Sequence, residues 1–135
     1  MENMLRLLSL LLAVGLLSFS APLAAATSPL LPPLPPDLTI LKAVKAAENP
    51  FQVRVQVANI GKGNAAACNL RMHAMVNGTL KMVDIAVPAI NAGQNTWVTV
   101  NAGSPVNQVS QAWLRVDDPP AVSETNEGNN KHQVI

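Results

Sequence analysis

One cysteine, no tyrosine, two phenylalanines, two tryptophans and two histidines in 135 residues leave little material for covalent or metal chemistry. A single cysteine cannot close an intramolecular disulfide, so packing must hold any fold formed in an oxidising compartment, and Cys68 has no second thiol with which to build a zinc site. Charge is equally sparse. Only 13% of residues are charged, the formal net charge is +1 and no run of like charges occurs. Nucleic acid and anionic lipid both require a basic footprint, so neither is expected as a partner. The chain also has no GxSxG elbow, no HExxH pair and no glycine-rich phosphate loop. No nucleophile and base fall within plausible reach of each other: Cys68 and His73 sit five apart on one strand and so point to opposite faces, and His73 and His132 read as surface residues. Catalysis is therefore not expected, and no cofactor is implied.

What the chain does contain begins with an export signal. Arg6 precedes an apolar stretch from Leu7 to Leu17, and small residues end at Ala24, Ala25 and Ala26, the pattern of a signal peptide cleaved after residue 26. An uncleaved anchor is the rival reading, because no charge appears between Leu7 and Ala26, about the length needed to span a bilayer. Pro22 and the alanine cluster favour cleavage. A lipoprotein would need a cysteine at the cleavage point, and Cys68 lies far beyond it. The expected location is periplasmic or extracellular, with no membrane contact after cleavage. About 109 residues would remain, enough for one self-sufficient core. Residues 27–36 form a proline-rich linker, Pro29-Leu-Leu-Pro-Pro-Leu-Pro-Pro36 at its heart, which should be an extended polyproline spacer.

From Asp37 onward the apolar pattern has period two and is broken by turn residues at the intervals of an all-β sandwich. Seven strands fit, near 37–46, 51–58, 67–76, 79–87, 95–101, 109–116 and 131–135. The clearest alternation is Phe51, Val53, Val55 and Val57 against Gln52, Arg54 and Gln56. The first strand, rich in alanine and lysine, can also be written as a short helix. Asn59 to Asn64, with Gly61 and Gly63, must be a loop, and Asn77-Gly78 predicts a type I′ hairpin, which explains those residues better than the glycosylation sequon they begin. Cys68 shares its strand parity with Leu70, Met72, Ala74 and Val76 and reads as a small buried hydrophobe.

Several segments together resemble the bacterial cell-adhesion-related domain CARDB, over residues 37–130. They are Pro36-Asp37-Leu38, the run Val55-Gln56-Val57-Ala58-Asn59-Ile60-Gly61, the turn around Ile90 and Gly93, and the tail from Val116-Asp117-Asp118-Pro119-Pro120 through Glu124-x-x-Glu127-x-Asn129-Asn130. That resemblance implies an immunoglobulin-like antiparallel β-sandwich of about seven strands and a non-enzymatic binding or adhesion role in the cell envelope or exterior. The implied partner is an envelope or extracellular protein, with a glycan as the alternative. Two features depart from the family: only five residues follow the paired asparagines, and the domain stands alone. The short end suggests a thinly covered sheet edge to which a partner strand could add.

Two groups of residues are site candidates. Asp117, Asp118, Glu124, Asn126, Glu127, Asn129 and Asn130 form a polar cluster whose oxygens suit calcium. The preferred reading is a structural corner, with Asp117, Glu124, Glu127, Asn129 and Asn130 bonding the backbone of a tight connection, and no metal. Trp97 and Trp113 each fall out of phase with core-facing neighbours. On an accessible face they would make a binding platform, for a glycan if they share that face; a strand bulge would return them to the core, which is the favoured reading.

Overall fold

The computed structural model describes residues 31–47 and 50–135. The signal-peptide reading of residues 1–26, and the linker as far as residue 30, lie outside them. Seven strands follow in order, β1 (Leu38–Ala47), β2 (Gln52–Asn59), β3 (Cys68–Val76), β4 (Thr79–Val87), β5 (Asn95–Asn101), β6 (Val109–Val116) and β7 (Lys131–Gln133). They make two antiparallel sheets, β1-β2-β5 and β4-β3-β6-β7.

Strand parity builds the core between them. Val53, Val55 and Val57 of β2 are fully buried, as are Leu70 and Met72 of β3 and Leu114 of β6. Each alternates with a residue on the outer face, as the two-residue repeat of an extended chain requires. Asn77 and Gly78 both adopt positive φ, 49° and 78°, the conformation of the expected I′ turn. The segment open to a helical reading is strand β1, paired with β2 from Leu38 to Ala47. A register shift between Ile40 and Lys42 interrupts its alternation. Leu38 and Ile40 face the core before this bulge and Ala43 packs against the core after it, while Leu41 and Val44 are exposed. One inserted residue is enough to reverse which parity points inward.

The C-terminal edge is better covered than the short last strand suggests. Beyond β7 the chain continues to pair with β6, where the amides of Val134 and Ile135 donate to the Ala112 carbonyl at 2.9 and 3.1 Å. The end of the proline-rich segment is likewise docked rather than free. The Gly63 amide donates to the Pro35 carbonyl at 3.1 Å and the Ile60 amide to that of Asp37 at 2.8 Å. A Cβ on Gly63 would collide with the Leu34 carbonyl, and one on Gly61 with the Asp37 amide, so this loop needs glycine for close approach.

Asn59 fixes that junction. Its Oδ1 accepts from the amides of Asp37 and Gly61, both at 3.1 Å, and its Nδ2 donates to the carbonyls of Gly63 at 2.7 Å and Ile90 at 3.0 Å. The side chain is wholly buried and uses both donors and both acceptor positions. Asn59→Ala strands several of these partners, each costing about 1–3 kcal/mol where water cannot replace the bond. We expect a loss of at least about 3 kcal/mol, measured as a lower urea midpoint with an unchanged m-value.

Candidate functional site

The polar tail begins where β6 ends. Asp117 takes a left-handed conformation, φ 54°, which aspartate tolerates better than most residues. Its carboxylate turns inward, fully buried. Both of its oxygens accept from the Ala121 amide, at 3.0 and 3.1 Å, and one also accepts from the Val122 amide at 2.9 Å. Asp118 turns the other way. On the outer face of the four-stranded sheet it lies 3.3 Å from His73 Nε2 and 3.7 Å from Arg71.

Glu124 reaches across to the other sheet, its Oε2 accepting from the Leu38 amide and its Oε1 from Asn130 Nδ2 at 3.0 Å. The same Asn130 amide group donates to Glu127 at 3.2 Å. Asn129 Nδ2 donates to Asp37 at 2.7 Å, and the Asn129 carbonyl accepts from Thr39 Oγ1 at 3.1 Å. Asn126 caps the short 3-10 turn Glu127–Asn129 by accepting from the Gly128 amide at 2.9 Å. The Asp117, Glu124 and Asn126 side chains bond backbone amides, whereas those of Glu127, Asn129 and Asn130 bond other side chains, and together they stitch the start of β1 to the crossing between β6 and β7.

The corner is nonetheless electrostatically unusual. Carboxylate oxygens of Asp117, Glu124 and Glu127 all lie within 4.8 Å of one another. Among the described residues Arg71 pairs with Asp84 and Asp118 instead, and His73 lies against Asp118. Burial raises the Glu124 carboxyl above its ordinary value, with Glu127 and Asp117 adding to the rise and the bonds from Leu38 and Asn130 opposing it. Of the seven polar residues grouped from the sequence, the fold brings Asp117, Glu124, Glu127 and Asn130 together, turns Asn129 to Asp37, and leaves Asp118 and Asn126 outside. Asn129 Oδ1 and Asn130 Oδ1 are buried acceptors without a hydrogen-bond partner.

The tryptophans do not return to the core. The β2–β5 register runs unbroken through Trp97, opposite Gln56, so Trp97 stays on the outer face and is 43% exposed. The Arg54 guanidinium lies 5.1 Å from its ring centroid, a cation–π distance. Trp113 faces outward from the opposite sheet. It is stacked on His73 with ring centroids 5.1 Å apart, and Lys131 lies 5.8 Å from its ring. The two rings therefore share no face, and a platform built from both is not formed. Sequence reading missed the Arg71–His73–Trp113–Asp118 group. The signal was present in the parity of β3, which puts Arg71 and His73 on one face, opposite Arg115 and Trp113.

Cys68 is buried, as its parity implied, and points away from His73. Burial, assisted by the nearby Asp117 charge, pushes its thiol up to about 11. Relative to an ordinary thiol at 9.0, the folded protein holds roughly a hundredfold less thiolate at moderate pH. Alkylation by iodoacetamide at pH 8 should be at least that much slower in the native protein than in urea. Because the unfolded thiol ionises first, stability should also fall as pH rises from about 9 to 11.

Comparison with known proteins supports the same architecture. The CARDB family profile matches residues 35–134. The CARDB domain of a Pyrococcus furiosus protein, solved in complex with di-metal ions, superposes with a TM-score of 0.52 at 25% identity, covering 73% of this chain and 89% of that one. A domain of a candidate cell-surface protein from Methanosarcina acetivorans superposes with a TM-score of 0.59 at 20% identity, covering 73% and 88%, and shares the fold. Among curated proteins, none matches.

Proposed function

The chain belongs to the CARDB family, and from that premise we propose that it is an exported, non-catalytic adhesion-type module that binds a protein of the cell envelope or exterior. The reading rests on one observation above the others. Trp97 projects from the open face of the β1-β2-β5 sheet, paired with Arg54 and free of aromatic cover, whereas Trp113 is spent on an internal stack with His73. Tryptophan and arginine are the side chains most enriched at the energetic centres of protein interfaces. The ring offers a large rigid surface, and the guanidinium supplies planar hydrogen bonds. Gln56, beside Trp97 and bonded to Asn95 at 3.1 Å, adds polar groups around the ring.

The sequence pattern of Arg6, an apolar stretch and alanines ending at Ala26 supports export, and the proline content of residues 29–36 supports presentation of the domain away from its point of attachment or neighbour. A glycan partner is the second reading. It would rest on Trp97 alone, since a single exposed ring flanked by amides can stack on a sugar.

The test is attachment of protein-coated beads to cells of the source organism. Trp97→Ala should reduce bead retention at least about tenfold, and Trp113→Ala should not. Loss of retention after protease treatment of the cells indicates a protein partner, and competition by soluble envelope polysaccharide indicates the glycan. Equal retention by wild type and Trp97→Ala removes this face from the reading.

A further inference from the structure

The overall charge of +1 conceals an uneven distribution between the two sheets. The strands of the β1-β2-β5 sheet carry Lys42, Lys45 and Arg54 and not one acidic residue. Strand register sorts these cations by face, because residues directly opposite each other in a sheet point to the same side. Lys45 stands opposite core-facing Val53 and takes no part in the open face. Lys42 stands opposite Gln56, and Gln56 opposite Trp97, so these side chains form one row across the sheet. Val44, Arg54 and Thr99 form the next row. Both cations are exposed on the same face as Trp97, and neither forms an ion pair among the described residues. The outer face of the four-stranded sheet differs. There Arg71 is met by Asp84 at 2.7 Å and by Asp118 at 3.7 Å.

We propose that the partner of this face is an acidic segment of a protein, which presents carboxylates to Arg54 and Lys42 around Trp97. The proposal rests on the adhesion reading of the same face and adds the chemistry of its ligand. A face with two uncompensated cations and no acid attracts carboxylates and repels basic partners. Arg54 can meet a carboxylate with paired N–H groups, and Lys42 meets one as a compact charge. A protein fits better than an acidic glycan. The Arg54 guanidinium already lies over the Trp97 ring, 5.1 Å from its centroid, where a sugar would stack, and a carboxylate can bond the guanidinium without displacing it. Exposed Val44 stands opposite Arg54, and exposed Leu41 lies at the β1 bulge. Both add aliphatic surface that the apolar side chains of a protein can cover and a polyuronide cannot.

Binding of defined polymers to the immobilised full chain tests it. A copolymer of glutamate and tyrosine should be retained, and a copolymer of lysine and tyrosine should not. Raising the salt from about 0.1 M to about 1 M, which shortens the screening length from about 10 Å to about 3 Å, should weaken retention at least about tenfold. Arg54→Gln and Lys42→Glu should each weaken it at least about fivefold while melting like the wild type. Lys131→Glu, a charge reversal on the opposite sheet, should leave it unaltered. No retention of the glutamate copolymer, equal retention of the lysine copolymer, or equal weakening by Lys131→Glu would overturn the acidic ligand. Tighter retention of polygalacturonate would overturn the choice of a protein. The same variants in the cell-attachment assay separate this proposal from the reading beneath it. Loss of attachment by Trp97→Ala, with full attachment by Arg54→Gln and Lys42→Glu, overturns the acidic ligand and keeps the face. Full attachment by all of them overturns the face itself.

Discussion

Everything at one end of this sandwich depends on the polar crossing from Asp117 to Asn130, which carries the chain out of β6 and back to β7 without forming a strand. An irregular segment packed against two sheets cannot satisfy its amides by laddering, so its side chains must do so. Asp117 serves Ala121 and Val122, Glu124 serves Leu38, and Asn130 bridges Glu124 and Glu127. Because Leu38 belongs to the three-stranded sheet and Asp117 follows the four-stranded one, the crossing also ties the two layers together. In a domain with one cysteine, this tie stands where many small secreted folds place a disulfide.

The opposite demand acts at the loop after β2. There Asn59 gathers the Asp37 and Gly61 amides and the Gly63 and Ile90 carbonyls, so one buried side chain closes the loop and anchors the incoming chain. Asp37 joins the two hubs, since its amide is held by Asn59 and its carboxylate by Asn129. The first residues of the domain are thus clamped between two polar centres, while the valine, leucine and methionine core between the sheets supplies the bulk of the burial. Function follows from this division. The polar centres hold the fold where β1 begins and leave the sheet faces free, and Trp97 projects from one of those faces.

Much of the fold was legible because a strand with one buried face imprints a two-residue period on its sequence. Val53-Arg54-Val55-Gln56-Val57 reads that way without structure, and Asn77-Gly78 specifies its turn because few other residues tolerate two successive positive φ angles. Legibility failed where parity was interrupted or held against expectation. The bulge at Ile40/Lys42 hid β1 behind a pattern compatible with a helix. Trp97 and Trp113 invited the opposite error, since a postulated bulge would have rescued them into the core, whereas both strands keep their phase and both rings face outward.

The candidate corner shows the same boundary. From the sequence alone came the seven strands, the buried Cys68, the expected export and the density of oxygen-bearing side chains after Val116, because composition and local periodicity are properties of neighbouring residues. Consecutive Asp117 and Asp118 must diverge in an extended chain, but their sides depend on which face of β6 is covered. The meeting of Asp117, Glu124 and Glu127 around Asn130, and of Arg54 with Trp97, was decided only when the chain folded back across two sheets. Those contacts are set by strand register and by the path of an irregular connection, and neither leaves a periodic trace in the sequence.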